Sequence, residues 1–168
     1  MTYQLLTLDN VECRVNSAYL EGAILAANMS IKPLAPKQWL TGLLDDLTAE
    51  FEQQVIGQLN HQYMLLKHNE YSALLLVHST NKPYELADFA QGFMAVWHDI
   101  EPHWFEKSIS DGTLRMLQGL LTTLSLAIDE QQTHDEMRRA GVDALPSLVD
   151  LVDNLDLMIN EVALAADE

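Results

Sequence analysis

The sequence predicts an all-α fold, a single compact multi-helix domain over residues 1–168. Three observations predict it. Apolar residues recur three and four apart through most of the chain, the period of a helix with one buried face. Ser, Thr, Asp and Asn open these runs and Gly or Pro closes them, as helix ends require. The bulkiest side chains gather in one run, Tyr84–Phe105 (YELADFAQGFMAVWHDIEPHWF), flanked by Pro83 and Pro102 and holding two of the three tryptophans. Large rings bury much apolar area per residue, so this run is the expected core centre.

Within it, Leu86, Phe89, Ala90, Phe93, Trp97 and Ile100 form one stripe on the helical wheel. Trp97 is therefore expected among the most buried residues. Gly92 lies on the flank of the stripe. A glycine there costs roughly 1 kcal/mol of helix propensity, which points to a second helix passing close by.

The other elements follow in chain order. The first dozen residues have no clear period and read as coil or a short helix. Asn16 or Ser17 caps a helix with Leu20, Ala23, Ile24 and Ala27 inward, ending near Asn28. Pro33 and Pro36 make a rigid turn, with Pro36 suited to the first turn of a short helix carrying Trp39, Leu40, Leu43 and Leu44. Thr48 caps a longer helix whose buried face reads Phe51, Val55, Leu59, Tyr63 and Leu66, with Glu50 and Glu52 placed favourably for its dipole. Residues 71–78 (YSALLLVH) are a short apolar run that fits either a helix end or one short extended segment.

After the central run, a loop with Ser108, Ser110, Asp111 and Gly112 leads to a helix with Leu114, Leu117, Leu121, Leu124 and Ile128 inward, widened by Leu120 and Leu126. QQTHDEMRRAG is a polar helix stopped by Gly141. A last helix runs from about Asp143, its cap, to Ala166, with Pro146 in the first turn. Its stripe is Leu148, Val152, Leu155, Ile159 and Val162. The further apolar positions Leu151 and Met158, about 20° apart on the wheel, define a second side. That side is expected to join a two-fold homodimer or a heterologous interface, unless the N-terminal dozen residues cover it.

Charge narrows the function classes. There are 25 acidic residues against 9 basic ones, a net charge of -16. Phosphate backbones are bound by Lys and Arg, so direct nucleic-acid binding is disfavoured. A basic protein partner, or solubility alone, fits better, and occupancy of a basic protein's site as an acidic mimic of nucleic acid is a variant of the first. No window is long and apolar enough for a membrane span. MTYQLLTLDN lacks a basic stretch followed by an apolar one, so a cytoplasmic location is expected. Cys13 is the single cysteine, without an internal disulfide partner or a CxxC pair.

Chemistry-bearing residues are few. WHDIEPHW offers His98, Asp99, Glu101 and His103 as metal ligands, the basis of a metal-assisted hydrolase reading. Zinc ligands converge at roughly 2.0–2.2 Å, and the five-residue spacing of the two histidines does not put them on one face as HExxH does. His98 also falls off the apolar stripe, so solvation is the simpler reading. His61 and His68 share a side of the long helix but lack a completing carboxylate, and His78 and His134 stand alone. Asp45–Asp46 and Asp150/Asp153 would serve as acid–base pairs only if buried together; solvated faces explain both more simply. Asp111–Gly112 reads as a turn without a calcium loop's ligand period. The seven methionines are scattered, which suits gap-filling better than one adaptable surface. No GxSxG or glycine-rich phosphate loop is present, and no cofactor is expected.

Two blocks carry a family resemblance. SAYLEGAILAANMSIKPLAPKQWL, with its Ser…Leu-x-Gly helix, proline turn and Gln-Trp-Leu helix start, and FAQGFMAVW, with its Gly-Phe pair, resemble the YecA/YgfB-like family of uncharacterised bacterial proteins. The likeness runs from about Asn16 to Ile128, and more loosely through the C-terminal helices. It departs where Phe89 replaces the usual Trp, where VHSTNKP replaces an acidic Leu-Pro turn, and where a Gly after the Gly-Phe pair is absent. The Cys-rich zinc tail of some longer members is not in this sequence. The resemblance implies an all-α fold, no established catalysis, and a regulatory or accessory role through protein contacts.

Overall fold

In the computed structural model, which describes residues 3–8, 15–32, 34–43, 47–78, 81–82 and 84–167, the chain is all-helical with no strand among the described residues. Its helices are α1 Ser17–Asn28, α2 Pro36–Leu40, α3 Ala49–Lys67, α4 Ala73–Val77, α5 Glu85–Glu106, α6 Asp111–Ile128, α7 Glu130–Arg139, α8 Leu148–Leu151 and α9 Leu155–Ala166. None is long and apolar enough to cross a membrane.

The centre is the crossing of α1 and α5. Two glycines make it. A Cβ added to Gly92 would lie 1.8 Å from the Tyr19 carbonyl oxygen, and one added to Gly22 would lie 1.9 Å from that of Phe89. Each helix therefore rests its bare backbone on the other, a distance no side chain allows. The expected stripe, Leu86, Phe89, Ala90, Phe93, Trp97 and Ile100, is buried throughout. Trp97 is 2% exposed; it stacks on Phe93 with centroids 5.7 Å apart and donates its indole N–H to Glu101 at 2.7 Å. Trp104 fills the next turn and donates to the Met29 carbonyl at 2.9 Å. Trp39 and Leu40 of α2 are buried as well.

Local chemistry sets most helix ends. Asn16 caps α1 by accepting from the Tyr19 N–H at 2.9 Å, and Thr48 caps α3 by accepting from Phe51. Gly141, at φ 87°, follows α7, where its backbone meets no added steric cost. Around the crossing, α3 packs on α1, α6 on α5, and α9 on both α3 and α6.

Several expectations are corrected. Residues 71–78 are not extended: Ser72 caps the one-turn helix α4 by accepting from Leu75, and Asp156 of α9 binds both the Ser72 hydroxyl and the Leu74 N–H. Pro102 does not flank α5 but lies inside it, removing only the N–H that the His98 carbonyl would accept. Asp111 and Gly112 are the first turn of α6, capped by Ser110, rather than a loop. Leu114, expected inward, is 37% exposed. Leu44 and Pro33 fall outside the described residues, as do Pro83, Cys13 and the Asp45–Asp46 pair.

The largest correction is at the C-terminal end. The helix starts at Leu148 with Ser147 as cap, not at Asp143. A residue before proline is pushed away from helical angles, which keeps Leu145 out of a helix that would include Pro146. His134 and Glu130 of α7 tie down this approach through the Pro146 carbonyl and the Leu148 N–H. A 3₁₀ turn, Val152–Asn154, then separates α8 from α9. Three residues at 3.0 per turn instead of 3.6 rotate everything beyond them by about 60°. Leu151 and Met158 are thereby no longer on one side. Met158 is 7% exposed, its sulfur against Gly119 of α6, and Leu151 is half-buried. Among the described residues, α6 covers Met158.

Candidate functional site

The residues singled out for metal chemistry are not brought together. On α5, His98 and Asp99 are exposed, and Glu101 is engaged by the Trp97 indole. His103 is half-buried, and its Nδ1 has no partner among the described residues. Among the described residues no three His, Cys, Asp or Glu side chains are grouped so as to hold a metal ion. His61 and His68 are exposed and about 10 Å apart along α3. The His68 Nδ1 bonds its own helix at the Met64 carbonyl. Asp150 and Asp153 are both exposed.

A different polar constellation lies at the heart of the fold. Glu21 of α1 is 1% exposed, and every group reaching its oxygens is a donor. The Tyr3 hydroxyl spans both, at 2.8 Å to Oε1 and 2.6 Å to Oε2. Gln58 donates to Oε1 at 3.0 Å, while Gln62 and Tyr71 donate to Oε2 at 2.8 and 2.7 Å. Four donors on two oxygens suit a carboxylate, which accepts on both and donates on neither. Among the described residues no basic side chain pairs with it.

The surrounding elements hold this site by ordinary helix geometry. Gln58 and Gln62 are four apart on α3, one above the other on the face toward α1. Gln62 is fixed in turn by Asn28, which donates to its Oε1 at 2.7 Å. Tyr71 is fixed by Asn160 of α9, which donates to its backbone carbonyl at 2.9 Å. Over the top runs the segment 3–8, neither helix nor strand. Tyr3 sets its ring edge-on to His61 at 4.9 Å and to Tyr71 at 6.0 Å, and Gln58 clasps the Gln4 carbonyl at 2.8 Å. Leu5, Leu6 and Leu8 are partly buried behind it.

Burial pushes the Tyr71 hydroxyl well above its ordinary value of 10.0, and the neighbouring Glu21 charge pushes it further; Tyr3 is raised for the same two reasons in the same order. Both are neutral groups whose folded values exceed the unfolded one. Their stabilisation is thus fully present below about pH 10 and is lost as pH climbs beyond it, by about 1.4 kcal/mol per unit for each tyrosine. In an alkaline titration, part of the tyrosinate absorbance is expected to appear only as the helical circular dichroism collapses. Full tyrosine ionisation near pH 10 with the helices intact is the contrary result.

Sequence reasoning passed over Glu21. The available signal was the helix around it: α1 buries Ala18, Leu20, Gly22, Ala23, Ile24, Leu25 and Ala26, leaving no wet side for a carboxylate.

Comparison with protein-family models, with curated proteins and with solved structures gave no match for this chain.

Proposed function

We propose that the chain is a non-catalytic regulatory or accessory module acting through contact with a basic protein partner. One observation carries the reading: with 25 acidic residues and 9 basic ones, most carboxylates have no cation to meet within the chain. Such a surface attracts a cationic partner and speeds its encounter. The acidity is densest after Gly141, where no Lys or Arg occurs. There Asp150, Asp153 and Glu161 are exposed, and so are the apolar Val149, 80% exposed, and Leu157, 49% exposed. Exposed apolar side chains among charged ones are the usual make-up of a contact surface. A homodimer through this face would set each acidic rim against its own copy, which like-charge repulsion opposes. A basic partner is therefore favoured over a second copy.

Membership of the YecA/YgfB-like family belongs to the same proposal, supported by the two motifs. Their matched residues Gly22, Trp39, Gly92, Phe93 and Trp97 are packing residues of the core and α1–α5 crossing, so the likeness speaks to fold rather than to chemistry. A cytoplasmic location is part of the reading too, supported by the single cysteine.

The test is capture of partners from native cells with the unaltered chain and with Asp150→Lys/Asp153→Lys. A basic protein is expected that is lost with the variant and released by raised salt. Capture indifferent to both changes, or turnover of a substrate dependent on a bound metal, defeats the proposal.

A further inference from the structure

Buried carboxylates are rare unless a cation accompanies them. Glu21 is 1% exposed, and among the described residues its neighbours are neutral donors only. The deep partners, Gln62 and Tyr71, are buried and fixed from behind by Asn28 and Asn160. Tyr3 differs from them: it is half-buried, belongs to a segment without secondary structure, and meets the exposed His61 at the rim. Glu21 thus has a permanent floor and a cover supplied by a short peripheral stretch of chain.

We propose that Glu21, Gln58, Gln62 and Tyr71 form a recognition slot for a cationic side chain, a guanidinium or ammonium group on an extended segment of a basic partner, and that Tyr3 fills this slot in the partner's absence. Segment 3–8 demonstrates the fit: a stretch that is neither helix nor strand lies across α1 and α3 with a donor directed at both Glu21 oxygens and partly buried leucines following it. A guanidinium presents a planar fork of donors that matches a carboxylate on both oxygens, where a hydroxyl has one hydrogen to share. It also brings the positive counter-charge that Glu21 lacks among the described residues. The partner's basic character rests on the contact-based reading above; the slot itself stands on the geometry.

The probe is benzamidine, a ring bearing a planar cation, set against p-cresol, which reproduces the tyrosine side chain. Both are titrated calorimetrically into the full-length Tyr3→Ala chain. Benzamidine is expected to bind about tenfold more tightly than p-cresol, and about tenfold more tightly than to the unaltered chain, whose slot is filled. Adding Glu21→Gln is expected to abolish the preference. Should that double variant not fold, amide shifts on adding benzamidine to Tyr3→Ala decide instead: changes centred on Glu21, Gln58, Gln62 and Tyr71 support the slot, and changes elsewhere overturn it. Tyr3→Ser, which also vacates the place of the ring, replaces Tyr3→Ala if the latter is unstable, with the same order of preference expected. Equal binding of the two probes, or a preference for p-cresol, overturns the proposal; the second outcome would mark the slot as a seat for tyrosine alone, including that of a second copy. Because Asp150 and Asp153 take no part in this titration, its failure leaves the contact-based reading intact, and failure of that reading leaves the slot intact.

Discussion

Gly92→Ala is expected to lower the stability by on the order of 4 kcal/mol or more, one of the largest effects of any single methyl group in this chain. Taken as an isolated helix, α5 would gain about 1 kcal/mol from the exchange. That gain is overwhelmed because the new Cβ would sit 1.8 Å from a backbone oxygen, Tyr19 O, which has no rotamer to change. The helices must separate along their whole contact, and the packing of Phe89, Phe93, Leu20 and Ile24 is disturbed with them. Gly22→Ala is the mirror experiment and should cost a similar amount. Gly57→Ala is the control: nothing lies within 4 Å of its Cβ position, so only the propensity gain remains and stability should rise by about 1 kcal/mol. Thermal melts read all three, at about 2–4 °C per kcal/mol for a domain of this size. A Gly92→Ala protein melting with its parent would mean that α1 and α5 do not cross there.

Trp97→Ala is expected to cost about 3–5 kcal/mol. The substitution empties the space between Phe93 and Trp104, whose rings lie 5.7 and 6.2 Å from that of Trp97. It also leaves Glu101 without the indole donor that holds it at 2.7 Å. Trp97→Phe keeps most of the ring contact and loses the donor, so it should fall in between. A Trp97→Ala melt within a degree or two of the parent would show that the stripe does not form the core.

The α5 stripe and the caps at Asn16 and Thr48 were legible in the sequence because each depends on residues within a turn or two. Features that failed to show depend on longer-range terms. Met158 was misplaced because a 3₁₀ turn changes the phase of the wheel, and no residue between Val152 and Asn154 announces it. The last helix was begun too early because Asp143 resembles a cap as well as Ser147 does, while the constraint of Pro146 on Leu145 decides between them. Glu21 was hidden for another reason. A carboxylate looks like a surface residue unless the rest of its helix is seen to be buried all round, and its partners Tyr3, Gln58 and Tyr71 come from 18 to 50 positions away. Pattern rules see one element at a time, and that site draws on four stretches of the chain.

The glycine crossing also has a consequence for how the chain is made. Between Asn28, the end of α1, and Glu85, the start of α5, lie 56 residues that must be synthesised first. At about 5–20 residues per second, α1 waits roughly 3–11 s before its partner begins to emerge. For that interval a helix buried on nearly every side in the folded chain lacks α5, its main packing partner. A nascent chain paused in that stretch presents α1 as bait for chaperones, and the arrival of Gly92 ends the exposure.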